Sequence, residues 1–332
     1  MELYAAGFNA WGQLQFGKDE QTNEEPDDIP TFTRVLRDDN GIDGIHPFPS
    51  YTIVHTKTSG VLTAGLIPKA DLPLTTLPHP SYSHFARASN GLSVFNDTHL
   101  PLSPLFPQPP WTPLSSLFPA NTNIPSTVTQ LISYTTGFAA LSTFPDGSTQ
   151  VYTWGDERYA ACLGRDIPAS SDTNGAADSQ GETEVEVVAT TPGIVTDLSD
   201  LPTGPITKLA AGGYVLAALT AGKDLYIWGH GGRAAAAGLR GLGVSGETMP
   251  IVIEDYDIED VAVGEGHVVV LTTSGEVFVI GSNSNGQLGL GQEVKGVESW
   301  TRVSIKSEGD IVGVAAGPKC SFLLVRDTVD KK

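Results

Sequence analysis

His230-Gly231-Gly232 is the stretch of this chain that comes nearest to a catalytic signature. Such a loop can offer backbone N–H groups to an oxyanion. The chemistry also needs a nucleophile on a sharp strand-to-helix turn, and no Gly-x-Ser-x-Gly accompanies it. A hydrolase using His230 is the weakest reading, because the loop falls where other copies of the same pattern also carry a Gly-rich turn. Seven histidines are scattered without metal-ligand spacing. Two cysteines, Cys162 and Cys320, can build neither a four-ligand zinc site nor a disulfide framework. Both lie in apolar segments and read as buried free thiols. No Gly-rich loop reads Gly-x-x-x-x-Gly-Lys-Ser/Thr, so nucleotide binding has no support. The sequence therefore predicts no catalytic residue, no cofactor and no metal ligand. What remains are side chains suited to anchoring another protein: Trp11, Arg158, Tyr159, His230, Arg233 and Asn285.

All six sit just past short apolar runs that end in glycine. The clearest of these runs is Val277-Phe278-Val279-Ile280-Gly281, followed by the polar turn Ser282-Asn283-Ser284-Asn285-Gly286-Gln287-Leu288-Gly289. The same string opens the chain without a gap: Gly7, Asn9, Gly12, Gln13, Leu14 and Gly17 match Gly281, Asn283, Gly286, Gln287, Leu288 and Gly291. β-formers followed by residues that tolerate positive φ predict a strand and a tight loop. A longer pattern of apolar strand, turn containing glycine, and apolar strand ending in glycine recurs around 206–229, 258–281 and 128–155. Strands are also predicted at Leu3 to Ala6, Phe32 to Leu36, Tyr51 to Thr56 and Val61 to Gly65, and a hairpin turn at Asn90-Gly91. His267 reads as a buried hydrogen-bonding residue, with Tyr214 and Cys320 at comparable places. Trp154 and Trp228 read as core.

The last apolar strand, Phe322 to Val325, is the kind that elsewhere precedes the turn, and Leu3 begins the kind that follows it. Joining the two would complete one more unit, and an array assembled in that way leaves few free strand edges. The sequence thus predicts a single all-β domain over 1–332. It carries an acidic, mobile insert at about 166–186 and an irregular Pro-rich stretch at about 100–125.

The net charge of −19 argues against DNA and anionic membrane as partners and favours a basic protein. No apolar run is long enough to span a membrane, and the opening strand leaves no room for a cleaved leader, so a cytoplasmic or nuclear protein is expected. The sequon at Asn96 then carries no weight.

Val151-Tyr152-Thr153-Trp154-Gly155, Leu225-Tyr226-Ile227-Trp228-Gly229, Asn283-Ser284-Asn285-Gly286-Gln287-Leu288-Gly289 and Val263-Gly264-Glu265-Gly266-His267 together resemble the regulator-of-chromosome-condensation repeat family. The resemblance implies a seven-bladed β-propeller closed by strands from both termini. Six turn-to-strand junctions are recognisable, and a seventh blade would lie within 60–150 or around the acidic insert. Within the family the chain is most similar to stand-alone fungal propellers of the α-tubulin-suppressor or killer-toxin-insensitivity kind. That likeness implies a non-enzymatic scaffold, monomeric or in a heterodimer. It would be an adaptor for a small CSL-type zinc-binding protein serving diphthamide synthesis and wobble-uridine modification of tRNA. Founding members imply the alternative, nucleotide exchange on a Ran-like small GTPase.

Overall fold

Strands buried at every position organise the molecule. β4 (Tyr51–Thr56), β14 (Val215–Thr220) and β18 (His267–Thr272) expose no side chain. Successive residues of a strand face opposite sides, so a strand of this kind must be covered on both. Val268 and Val270 pack with Val215, Ala217 and Leu219, whereas Val269 and Leu271 pack with Val314, Leu323 and Val325. That is why these segments read as unbroken apolar runs and not as an alternation.

The computed structural model describes residues 1–17, 25–77, 79–96, 111–118, 127–167, 188–230, 239–244, 246–251, 253 and 256–327. β4, β14 and β18 each lie second in an antiparallel sheet, and β1 (Glu2–Gly7), equally buried, lies third in its own. Sheet 1 runs β21 (Asp310–Gly317), β22 (Cys320–Arg326), β1 (Glu2–Gly7) and β2 (Ile29–Arg37). Sheet 2 has β3 (Ile42–Pro47), β4 and β5 (Gly60–Gly65). Sheet 3 is short: β6 (Phe85–Arg87), β7 (Ser93–Phe95) and β8 (Trp111–Pro113). Sheet 4 runs β9 (Val128–Tyr134), β10 (Gly137–Thr143), β11 (Thr149–Gly155) and β12 (Gly193–Ile194). Sheet 5 runs β13 (Ile206–Gly212), β14, β15 (Leu225–Gly229) and β16 (Met249–Ile251). Sheet 6 runs β17 (Ile258–Gly264), β18, β19 (Val277–Ser282) and β20 (Gly296–Arg302).

Six apolar clusters lie one between each pair of consecutive sheets, the last joining sheet 6 to sheet 1. The expected union of the two ends is present: β1 pairs with β22 over six residues, Glu2 opposite Val325 and Gly7 opposite Cys320. Trp154 and Trp228 are buried, and the Trp228 indole donates to the Cys162 carbonyl at 3.2 Å.

Five first strands carry a bulge near their start, with Asp43, Thr129, Thr207, Glu259 and Val312 as the extra residues. Beside the bulges, side chains reach sideways to the next sheet. Gln130 exchanges two 2.8 Å hydrogen bonds with the Leu209 backbone. Lys208 pairs with the Asp260 carboxylate, whose other oxygen accepts the Val314 N–H at 2.9 Å. One carboxylate thus ties sheets 5, 6 and 1 together. His267 makes a similar tie, its Nε2 standing 3.0 Å from Ser321 Oγ on β22.

The structure corrects two expectations, on Trp111–Pro113 and on Tyr214, and two others lie at least partly outside the described residues. The described residues form six sheets, and the seventh blade implied by the family resemblance has no sheet among them. Trp111–Pro113, within the stretch read as strandless, pairs in parallel with Ser93–Phe95; Pro113 sits at the strand's end, where a missing N–H costs least. Val215, not Tyr214, takes the place of His267, since Val215 pairs with Gly229 as His267 pairs with Gly281. The acidic insert lies mostly outside the described residues.

Candidate functional site

The loops that carry the candidate residues converge because one hydrogen bond repeats in five sheets. The residue after the terminal glycine of each third strand donates its N–H to the carbonyl at the turn between the first two strands. These bonds are Phe8 to Lys319 (2.9 Å), Leu66 to Ser50 (2.8 Å), Asp156 to Thr136 (3.1 Å), His230 to Tyr214 (2.9 Å) and Ser282 to Gly266 (2.8 Å). The glycine is obligatory at Gly281, with φ of +117° and a Cβ position 2.3 Å from the Gly266 carbonyl oxygen. Neighbouring turns are bonded in their turn, Thr135 N–H to Gly213 O (2.8 Å) and Glu265 N–H to Pro318 O (2.9 Å). The turns and the loops after the third strands therefore share one face of the molecule.

On that face the two copies of the opening motif fold identically. Asn9 accepts the Leu14 N–H (3.0 Å) and Gln13 the Trp11 N–H (3.0 Å). Asn283 accepts the Leu288 N–H (2.8 Å) and Gln287 the Asn285 N–H (2.9 Å). These Asn and Gln side chains are buried and spent on their own loops. Trp11 and Asn285 occupy the same loop position with different fates. Trp11 is 52% exposed, while Asn285 donates from Nδ2 to Asp28 at 2.9 Å. The other oxygen of Asp28 accepts the Asn9 N–H at 2.9 Å, so one carboxylate braces both loops.

The structure also gathers Tyr159 and His230. Tyr159 stacks on Tyr214 with ring centroids 4.8 Å apart, and His230 stands edge-on to both at 5.8 and 6.5 Å. Burial, then the hydrogen bond with Tyr159, raises the Tyr214 phenol above its ordinary pKa. Beneath them Cys162 donates to the Tyr214 carbonyl (3.3 Å), and burial pushes its thiol up to about 12. Neighbouring Arg158 is exposed and forks onto Asp156, at 2.9 Å from Nε and 2.5 Å from Nη2. That hydrogen bonding holds the Asp156 carboxyl below its usual pKa. Arg233 lies outside the described residues. The five described candidates thus fall into two groups: Tyr159 and His230 with Arg158 beside them at sheets 4 and 5, and Trp11 with Asn285 at sheets 6 and 1.

Sequence reasoning missed Tyr214, Asp28 and Leu66. Leu66 is 58% exposed, and its signal was its place directly after Gly65. Among the described residues no three His, Cys, Asp or Glu side chains converge as a metal would need, and no helix is long and apolar enough to cross a membrane.

The loop hydrogen bonds repeat at the spacing of a known motif. Models of the regulator of chromosome condensation (RCC1) repeat match residues 258–287 and 274–324. Residues 258–324 thus match RCC1 repeats. Two curated relatives are similar over part of the chain. Ras guanine nucleotide exchange factor C of Dictyostelium discoideum is 29% identical over 136 residues, 39% of this chain and 8% of that protein. Regulator of chromosome condensation of Drosophila melanogaster is 38% identical over 78 residues, 24% of this chain and 14% of that protein. The alignments therefore span only a small part of either relative. Solved structures extend the likeness to the whole fold. Yeast Prp20, in a complex with Kap60, has a TM-score of 0.64 at 14% identity, covering 99% of this chain and 90% of that one. Prp20p of Saccharomyces cerevisiae, described with its binding to Gsp1p and histones, scores 0.62 at 13% identity, covering 99% and 92%. Human WBSCR16 scores 0.57 at 16% identity, covering 99% of each chain. The chain accordingly has the all-β, RCC1-like propeller fold of these structures.

Proposed function

We propose that this RCC1-repeat propeller is a non-enzymatic protein-interaction scaffold of the cytosol or nucleus, its sheets closed into a ring. The partner binds the face on which the turns and third-strand loops gather. The observation that carries this reading is the grouping there of exposed Trp11 and Arg158 with the Tyr159–Tyr214–His230 cluster, on loops locked by their own hydrogen bonds. Large rigid side chains on an immobile frame are what an interface uses for anchoring. The surrounding exposed charges Glu25, Asp27, Glu157 and Glu265 favour a basic partner surface.

Two partners are worth separating. The similarity to exchange-factor relatives, and to a propeller described with Gsp1p, supports nucleotide exchange on a Ran-like small GTPase. The likeness to stand-alone fungal propellers supports an adaptor holding a small zinc-binding protein in diphthamide synthesis and tRNA modification. Affinity capture followed by mass spectrometry, using the wild type, Trp11→Ala and Tyr159→Ala, tests the scaffold reading. A specific protein lost from either variant supports it; identical captures from all three refute it. Accelerated release of labelled GDP from Ran would select the exchange reading, and co-purification of a zinc protein the adaptor.

A further inference from the structure

Among the described residues, sheet 2 ends at its third strand. In sheets 1, 4, 5 and 6 a fourth strand pairs antiparallel with the third. In sheet 2 the third strand, β5, pairs with β4 from Gly60 to Gly65, and no described strand covers its other edge. The Leu66 N–H bonds inward to Ser50, so the alternating ladder turns the backbone groups of Val61, Thr63 and Gly65 outward. The register identifies what such groups do elsewhere. Val277, which matches Val61, accepts the Val303 N–H at 2.9 Å, and Val151 accepts the Val195 N–H at 2.9 Å. Gly155, which matches Gly65, donates to Ala189 at 2.8 Å. The outward groups of β5 have no such partner among the described residues, and Gly60, Thr63 and Gly65 are exposed.

The loop above this edge carries the same signature. In the sheet 6 copy, Gly286 and Gly289 press onto β2: a Cβ would meet Pro30 Cα at 2.5 Å or the Phe32 ring at 2.3 Å, and the Gly291 N–H bonds the Pro30 carbonyl at 2.9 Å. In the sheet 1 copy, Gly12 matches Gly286 and among the described residues meets nothing nearer than its own loop's Gln15, 3.5 Å away. Gly65 abuts this loop, its Cβ position 2.9 Å from Gln13 Cα. The two most exposed large apolar side chains of the described surface, Leu66 and Trp11, flank the place where a fourth strand would run.

We propose that a partner completes sheet 2. An extended segment of another polypeptide pairs antiparallel with Val61, Thr63 and Gly65, setting an apolar or aromatic side chain against Trp11 and Leu66. Backbone bonding supplies affinity, and alternate side chains supply selectivity. A basic segment is favoured by the net charge of −19, and the molecule's own fourth strand β2 carries Arg34 and Arg37. This inference rests on the scaffold reading and names the chemistry of the occupant.

The probe is a fluorescent peptide of the β2 sequence, Ile-Pro-Thr-Phe-Thr-Arg-Val-Leu-Arg, titrated into the full chain. Saturable binding is expected, weakened about tenfold or more when alternate peptide amides are N-methylated or when Thr63→Pro removes an outward N–H. Hydrogen–deuterium exchange should show new protection over 60–66. No binding, indifference to N-methylation, or protection at β1 would overturn the proposal. So would prior protection of 61–65 without the probe, which assigns the edge to this chain, or a dimer abolished by Thr63→Pro, which assigns it to a second copy. If Thr63→Pro fails to fold, the methylated peptide decides. A captured partner that survives Thr63→Pro would leave the scaffold reading standing and remove this one.

Discussion

Acid should loosen this molecule through one buried ring. His267 is fully buried between β18 and the neighbouring β22. Its ring lies over Gly264, where a Cβ would stand 1.9 Å from the imidazole. Burial drives its pKa from 6.5 down to about 4. The unfolded chain takes up the proton below about pH 6.5, while the native ring stays neutral to about pH 4. The unfolded state therefore binds more protons across that window, and stability falls as pH falls. At 1.4 kcal/mol per pKa unit the loss is about 2 kcal/mol at pH 5, and it levels off near 3 kcal/mol once the native ring also titrates. The assay is urea unfolding at pH 7 and pH 5 for the wild type and for His267→Gln, which keeps a polar group opposite Ser321 and cannot titrate. Carboxylates contribute equally to both proteins, so the difference between their pH responses isolates the ring. The variant should be the less stable at pH 7 and lose about 2 kcal/mol less on going to pH 5. Equal losses in the two proteins would refute the reasoning.

Other outcomes follow from the same geometry. Gly281→Ala places a Cβ against the Gly266 carbonyl at positive φ and should cost at least about 2 kcal/mol, read as a lowered Tm. Asp260→Ala strands the Val314 N–H and Lys208 together and should cost about 2–3 kcal/mol by urea titration; Lys208→Ala, on a side chain one-third exposed, should cost less than about 1. Cys162 and Cys320, both pushed up to about 12 by burial, should resist a thiol reagent at pH 8 in the native protein and react at once in denaturant.

The fold was legible where the repeat is faithful. Doubly buried second strands advertise themselves as unbroken apolar runs, and the matched Asn9, Gln13, Asn283 and Gln287 mark loops that bond to themselves. The union of Phe322–Val325 with Leu3–Ala6 could be read from the phase of the pattern alone. Features made by neighbours could not. The sideways reach of Gln130 and Asp260 depends on bulges that no composition signals, and β8 is a strand only because β7 lies beside it. Of the candidate site, Trp11 and Tyr159 were visible as anchors in loops. Asn285 looked equally available, but the Asp28 carboxylate, distant in sequence, engages it. That no described strand covers the outer edge of β5 left no mark in its sequence, because an edge is defined by what fails to arrive.

Sheet 1 also sets a schedule for synthesis. β1 leaves the ribosome well before its partner β22, which emerges some 300 residues later. At about 5–20 residues per second, that leaves β1 waiting roughly 15–60 s. Throughout that interval a six-residue strand that the fold buries completely lacks the partner on one edge, the kind of unpaired edge that invites aggregation. A chain stopped at Gly317 keeps β1 and β21 without the strand between them, and it should collect in the insoluble fraction; soluble, monomeric recovery would show that the last strand is dispensable.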